Sequence, residues 1–322
     1  MKKVAITLGD PAGIGTEITL KALKKLDRDG IQFFLIGDIS NLGKTWSSIR
    51  VDLNDNVELI DAGSSDALLK GPSESGGLVS IHAIELATNM AMKGEVDAVV
   101  TAPISKESLR LAGSKDIDHT QLFSRLSGER HVSTVFETKN LRILFLTKHA
   151  PLLQALRTIT VETVINGIES SYIALRLLGI EGKRIGVAAI NPHAGENGLL
   201  GSEELTIIRP AVDALKEKYE VSGPFPADSV FYQAAEGKFD IVLSMYHDQG
   251  HIAAKMLDFH ETVSLNTGLP FLRTSVDHGT AFDIAGHGIA NESSMISAIY
   301  KATKYCTLYR QNFMELKQLG IL

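Results

Sequence analysis

Val4-Ala5-Ile6-Thr7-Leu8, followed by Gly9-Asp10-Pro11-Ala12-Gly13-Ile14-Gly15-Thr16-Glu17 and then by the helix-like run Glu17–Leu26, is the stretch on which the fold turns. A short, mostly apolar run predicts a buried strand. The glycines after it permit a tight turn and close backbone approach, and the helix that follows presents its N-terminus to an anion. The segment is not a Walker A loop, because no lysine precedes Thr16. It is not a complete GxGxxG either, because Ile18 holds the third glycine position. Taken alone, it reads equally as an anion-binding loop or as a plain strand-to-helix turn.

The same alternation continues outward from this stretch. Strands are expected at Val4–Leu8, Phe33–Ile36, Ala98–Thr101, Leu141–Thr147, Ile185–Ile190 and Ile241–Met245. Helices are expected at Glu17–Leu26, Ile81–Lys93, Val161–Leu178 and Glu203–Tyr219, the last with Ser202 as N-cap. Strand–helix alternation of this kind implies an α/β protein with a largely parallel sheet. In such folds ligands collect at loops following the C-terminal ends of strands.

Composition narrows the partners. A chain of 322 residues has room for two lobes, and 44% hydrophobic with 22% charged residues is ordinary for a globular protein. A formal charge of −6 implies no basic face for nucleic acid. The single cysteine, Cys306, excludes an internal disulfide and a cysteine-based zinc site, and fits a reducing compartment. The apolar run near the N-terminus is too short for a signal sequence, and no run approaches a membrane span. A cytoplasmic protein with no membrane partner is expected.

Three histidines follow expected strands directly: His149 in Thr147–Pro151, His193 in Asn191-Pro192-His193-Ala194-Gly195-Glu196, and His247 in Tyr246-His247-Asp248-Gln249-Gly250. Parallel neighbouring strands bring such exits together, and converging imidazoles leave open positions on a metal for substrate oxygens. Each histidine singly also reads as a hydrogen-bonded loop residue. His82, His131 and His260 read as structural, and His251 and His287 are undecided. Among the cations, Arg273 suits bidentate contact with a phosphate or carboxylate, and Lys255 supplies a point charge. Either also reads as a solvated surface residue. Asp118-His119-Thr120 offers an imidazole and a hydroxyl to an anion, and Thr101–Lys106 repeats the strand-exit pattern. In Asp277–Gly286 small residues admit a flat cofactor, and Asp277 or Asp283 suits ribose hydroxyls, with helix capping as the simpler role.

The ordered motifs ITLGDPAGIGTEI (6–18), DHT (118–120), NPHAGE (191–196), YHDQG (246–250) and GLPFLRTSVDHGTAFDIAG (268–286) strongly resemble the 4-hydroxythreonine-4-phosphate dehydrogenase family of pyridoxal phosphate biosynthesis. HGTA (278–281) also looks like the cofactor loop of isocitrate and isopropylmalate dehydrogenases, which bind NAD(P) without a standard Rossmann fold. The resemblance implies a two-lobed α/β/α fold with the active site in the cleft between lobes. Residues 1–128 with 275–322 would form the lobe carrying the cofactor loop, and 129–274 the lobe carrying the metal histidines and dimer contacts. It implies a homodimer with shared active sites, one divalent ion on His149, His193 and His247, and substrate contacts from His119, Thr120, Lys255 and Arg273. Ser264 stands where the family has an asparagine, with Asn266 two residues later. NAD would lie against Gly13, Asp277, His278, Gly279, Thr280 and Asp283. His251 after YHDQG, where family members commonly carry an apolar residue and proline, looks like the branch acting on D-threonate or D-erythronate 4-phosphate. A branch oxidising cis-dihydrodiol carboxylates is disfavoured by the retained cations.

The expected reaction is NAD-dependent oxidation of the C3 hydroxyl of a four-carbon 4-phosphorylated acid, then metal-assisted decarboxylation. The product is dihydroxyacetone phosphate, or 3-amino-2-oxopropyl phosphate from 4-phosphohydroxy-L-threonine. Asp248 and Lys255 are the candidates for moving protons. Zn²⁺, Mn²⁺ or Co²⁺ suits three imidazoles better than Mg²⁺. A metal-dependent hydrolase and a non-catalytic phosphometabolite-binding protein are the alternatives.

Overall fold

The computed structural model describes every residue but 50–52, 54, 55 and 66–69, and every side chain of the rest but those at 44 and 46–48. It divides into two compact units, Met1–Val132 with Val263–Leu322, and Ser133–Thr262.

The first unit opens with β1 (Lys2–Thr7), α1 (Gly15–Lys25), β2 (Ile31–Gly37), α2 (Ile39–Ile49), β3 (Val57–Asp61), α3 (Glu74–Lys93), β4 (Ala98–Thr101), α4 (Lys106–Leu111) and α5 (His119–Ser127). The turn from β1 into α1 needs glycine, since a Cβ on Gly15 would sit 2.1 Å from the Leu8 carbonyl oxygen. Helix α3 begins well before the expected Ile81. Ser73 caps it by accepting from the Gly76 amide at 3.0 Å, and two glycines in its first turns hide the helical periodicity. Val79, Ala83 and Ala87 of α3 pack on Ala5, Phe34 and Val99 of the sheet. Burying each such larger side chain contributes about 1.5–3 kcal/mol.

The second unit runs β5 (Ser133–Thr138), β6 (Leu141–Phe145), α6 (Leu152–Arg157), α7 (Val161–Leu177), β7 (Ile185–Ala188), α8 (Arg209–Leu215), β8 (Val221–Phe225), α9 (Ala227–Ala235), β9 (Ile241–Ser244) and α10 (His247–Leu257). Its strands lie in the order β5-β6-β9-β7-β8, with β5 antiparallel to β6 and the rest parallel. Phe136, Ile143, Phe145, Val230, Phe231 and Val242 form its core. The helix expected over Glu203–Tyr219 is shorter and begins with a wide turn, Glu204–Ile208. Pro210 lacks the N–H for a regular helix, and widening the preceding turn accommodates its ring. Ser202 does not cap with its side chain; its carbonyl accepts from the Leu205 and Thr206 amides.

The chain then re-enters the first unit with β10 (Val263–Thr267), β11 (Leu272–Val276) and α11 (Ser293–Gln318). Residues 129–132 and 263–274, expected with the second lobe, belong here, the latter because Leu272–Ser275 pairs parallel with Ala98–Thr101. The strand order of this unit is β3-β2-β1-β4-β11-β10, with only β10 antiparallel to its neighbour. The C-terminal ends of β1 and β4 therefore lie side by side, with Thr7 opposite Thr101 and Thr101 opposite Ser275.

Candidate active site

Three groups of functional side chains emerge, two in the first unit and one in the second. Beyond the C-terminal end of β1, a cavity of about 630 Å³ is lined by Gly13, Thr16, Glu17, Lys70, Ser73 and Asp283, among others. The loop 277–286 is pinned to the opening turn by the Ile14 amide, which donates to the Thr280 carbonyl at 3.0 Å. The contact is close: a Cβ on Gly13 would lie 2.9 Å from that oxygen. Of the expected cofactor residues, Gly13 and Asp283 line the cavity, whereas Asp277, His278, Gly279 and Thr280 do not. His278 Nδ1 contacts the Gly279 carbonyl at 3.0 Å, and its Nε2 is buried without a hydrogen-bond partner.

Two buried carboxylates that sequence reasoning passed over hold this wall in place. Asp10 is fully buried and accepts from Ser108 Oγ at 2.6 Å and from the Ala12 amide at 3.1 Å. Burial pushes its pKa up, against these hydrogen bonds. Glu17 accepts from Lys21 Nζ at 2.8 Å and from the Ala290 amide at 2.9 Å, tying α1 to the segment after loop 277–286.

The second group surrounds Arg273 on β11, which is 4% exposed. Its Nε and Nη2 donate to Thr101 Oγ1 at 3.0 and 2.5 Å, and its Nη1 donates to Asn266 Oδ1 at 2.7 Å. The guanidinium lies 5.8 Å from the Phe123 ring, on which His119 also stacks. Burial draws the arginine's pKa down to about 9, with Asp118 acting in the opposite sense from farther off. Among the described residues no carboxylate makes an ion pair with it. Burial, then the Arg273 charge, holds the His119 pKa well below the usual imidazole value, so the ring is neutral; its Nε2 is buried without a hydrogen-bond partner. Asp118 caps α5 by accepting from the Gln121 amide at 3.0 Å, which sets His119 and Thr120 at that helix's start. Ser264 is buried on β10, but Asn266 is the residue that reaches Arg273. Neither Thr101 nor Asn266 was expected there, although Thr101 opens the strand-exit motif.

The third group is the histidines of the second unit. The rings of His149 and His247 lie 5.6 Å apart between centroids. His247 Nδ1 contacts Asp248 Oδ1 at 2.7 Å. His251, one turn further along α10, stacks on His247 at 3.8 Å and packs edge-on against Phe136 at 4.3 Å. Burial first, then the nearby His247 and Lys255, draws the His251 pKa down to about 4. His193 stands on a separate, exposed loop whose residues 193–197 all have left-handed backbone, with φ of 52° at His193 itself. The buried Glu204 steadies that loop, accepting from the Ile190 and Asn191 amides at 2.8 and 2.7 Å. Among the described residues no three His, Cys, Asp or Glu side chains are grouped to hold a metal ion. The imidazole donors suit a borderline divalent ion, and one chain brings two of the three together. Lys255 lies on α10 with its ammonium 5.4 Å from the Phe259 ring.

The fold is shared by a β-decarboxylating dehydrogenase of Thermococcus kodakarensis, at a TM-score of 0.50 and 15% identity, covering 99% of this chain and 98% of that one. The likeness at that identity is one of fold alone. The pattern of the pyridoxal phosphate biosynthetic protein PdxA matches residues 14–302, and the chain belongs to that family. It is 46% identical to a protein of Symbiobacterium thermophilum named "Putative D-threonate 4-phosphate dehydrogenase", over 96% of this chain and 98% of that protein. A 4-hydroxythreonine-4-phosphate dehydrogenase structure from Klebsiella pneumoniae superposes with a TM-score of 0.85 at 38% identity, covering 95% of this chain and 100% of that one. The chain is accordingly a dehydrogenase acting on a CH–OH group, and the hydrolase and non-catalytic alternatives fall away. Its family implies a nicotinamide cofactor and a divalent metal.

Proposed function

We propose that the chain oxidises the C3 hydroxyl of D-threonate or D-erythronate 4-phosphate with NAD, and that the resulting β-keto acid loses CO₂ to give dihydroxyacetone phosphate. The observation that carries the phosphate end is Arg273, a buried cation without an ion-pair partner among the described residues, beside the partnerless Nε2 of His119. A buried cation is costly unless an anion balances it, and a phosphate supplies that balance. His119, Thr120 and Arg273 would hold the phosphate and orient the substrate rather than perform chemistry. His251, and the relative named for D-threonate 4-phosphate, favour a hydroxyl over an amine beside the oxidised carbon. 4-Phosphohydroxy-L-threonine, giving 3-amino-2-oxopropyl phosphate, is the second substrate to test, supported by the Klebsiella structure.

The cavity beside Gly13 and Asp283 suits the nucleotide, and Asp283 favours a ribose hydroxyl over a 2′-phosphate, hence NAD. His149, His193 and His247 would hold Zn²⁺, Mn²⁺, Co²⁺ or, less suitably, Mg²⁺, whose Lewis acidity would lower the alcohol's pKa and polarise the β-keto acid. Asp248, at His247 Nδ1, would orient that ring and leave Nε2 for the ion, so proton transfer falls to Lys255. Two features support a homodimer with shared sites. One chain brings only two of the three imidazoles together, and Ile252, Met256 and Phe259 present exposed apolar side chains at helical spacing in the same unit. The buried, single Cys306 fits a cytoplasmic enzyme.

The test follows NADH formation with D-threonate 4-phosphate and 4-phosphohydroxy-L-threonine side by side, with and without chelator. Chelator-sensitive turnover of the first at a kcat/KM at least about tenfold above the second is expected. Turnover of neither, or turnover indifferent to chelator, would sink the proposal.

A further inference from the structure

A guanidinium carries five N–H donors: one on Nε and two on each terminal nitrogen. In Arg273 three are spent inside the protein. Thr101 Oγ1 accepts from Nε and from Nη2, and Asn266 Oδ1 accepts from Nη1. The remaining two, one on Nη1 and one on Nη2, have no partner among the described residues. Two parallel N–H groups on adjacent nitrogens are the fork that takes two oxygens of one oxyanion.

The hydroxyl of Thr101 chooses which edge of the guanidinium faces outward. By accepting from both Nε and Nη2 it occupies the side edge, so what stays available is one N–H on each terminal nitrogen. Both of its lone pairs are used, and both residues sit on strands, Thr101 at the end of β4 and Arg273 two residues before its register partner Ser275. Thr101 and Asn266 are each fully buried, so water cannot replace either acceptor. Phe123, 5.8 Å from the guanidinium, bounds its face.

We propose that Thr101 is a positioning residue for oxyanion binding: its hydroxyl locks the Arg273 guanidinium with the terminal edge presented to one phosphate group. This rests on the reading that Arg273 binds the substrate phosphate. Without the acceptor, two buried N–H groups of a cation lose their partner, and the fork turns to satisfy them. Serine at this position keeps the acceptor and the geometry; valine keeps the shape and loses the acceptor.

The test titrates inorganic phosphate by calorimetry into full-length wild type, T101V, T101A, T101S and R273A, and measures KM and kcat with D-threonate 4-phosphate. Phosphate affinity is expected to fall about tenfold in T101V and T101A, the loss of one charge-assisted contact, and to stay within about twofold in T101S. KM should rise with the phosphate Kd while kcat changes less. In an R273K background, where the fork is absent, T101V should cost less than about twofold. Undiminished phosphate binding by R273A would overturn the underlying phosphate reading. Loss of binding in R273A, with full binding in T101V and T101A, would overturn the positioning role alone. Failure of both acceptor-less variants to fold would overturn it as well, since the hydroxyl would then be serving the fold and not the anion.

Discussion

The Arg273 group and the histidine group solve opposite problems. Arg273 is on a strand, buried, and held by three hydrogen bonds that it donates to Thr101 and Asn266 on neighbouring strands. His149 and His193 are exposed and stand on strand-exit loops, and His193 rides a left-handed turn steadied from behind by Glu204. The proposed anion-binding cation is oriented completely within one unit, by hydroxyl and amide groups anchored on neighbouring strands. The imidazoles are instead presented from loops and from the start of α10, with His247 Nδ1 against Asp248. On the proposed reading, a bound ion and a second chain would complete that set, with Asp248 supplying the outer hydrogen bond to His247.

If this contrast is right, the two groups fail independently. The largest effect should come from the histidines: His247→Ala, or removal of metal by chelator, should lower kcat by about a thousandfold or more. Phosphate binding measured by calorimetry should persist. Parallel loss of phosphate affinity would break the contrast. A smaller effect is expected one step out, where Asp248→Asn keeps the size of the side chain and removes the charge facing His247 Nδ1. Metal affinity, read by competition with a chromophoric chelator, should drop about 10–100-fold, with NAD binding unchanged. An unaltered affinity would reassign Asp248 to solvent.

The smallest effect concerns stability. Burial acts to raise the Asp240 pKa, but hydrogen bonds from the Arg184 side chain and amide, at 2.9 to 3.0 Å, outweigh it and leave the pKa lowered. A carboxylate with a depressed folded pKa contributes stability above its unfolded pKa, near 3.9, and loses it as pH falls through the folded value. Asp240→Asn should therefore flatten the acid side of the stability profile by less than about 1 kcal/mol, since the pair is partly solvent-screened. Asp10 in the first unit has the opposite sign. Its raised folded pKa means that its contribution is lost as pH rises from the unfolded to the folded value. Chemical denaturation of wild type and Asp240→Asn between pH 3 and pH 7 (a range set about the carboxylate pKa) would separate them; an unchanged acid limb would remove Asp240 from the account.

Much of the site was legible because its parts are local. Strand Ala98–Thr101 coincides with its expected span, and the strands before His149, His193 and His247 each start where expected and end slightly early. The opening loop and loop 277–286 are each readable as backbone motifs, yet their mutual contact through Ile14 and Thr280 is not. Strands β10 and β11 are buried throughout yet carry Ser264, Asn266, Arg273 and Thr274, so neither reads as the continuous apolar run that marks a buried strand. Missing them placed residues 263–274 in the wrong lobe. His251 was noted only as a departure from a motif, and its stacking on His247 follows from one helical turn of spacing against two phenylalanines.

By itself the sequence determined the α/β alternation, the loops that follow the strands and the chemical types available there, because hydrophobic periodicity and glycine placement act over a few residues. Only the tertiary structure decided which of these types meet. Thr101 and Arg273 are 172 positions apart and bond because β4 and β11 are parallel neighbours, while Ser264, in the expected place, gives way to Asn266 at the register position opposite Arg273. Strand pairing selects contacts by sheet register, and register is a property of the assembled fold rather than of any local stretch.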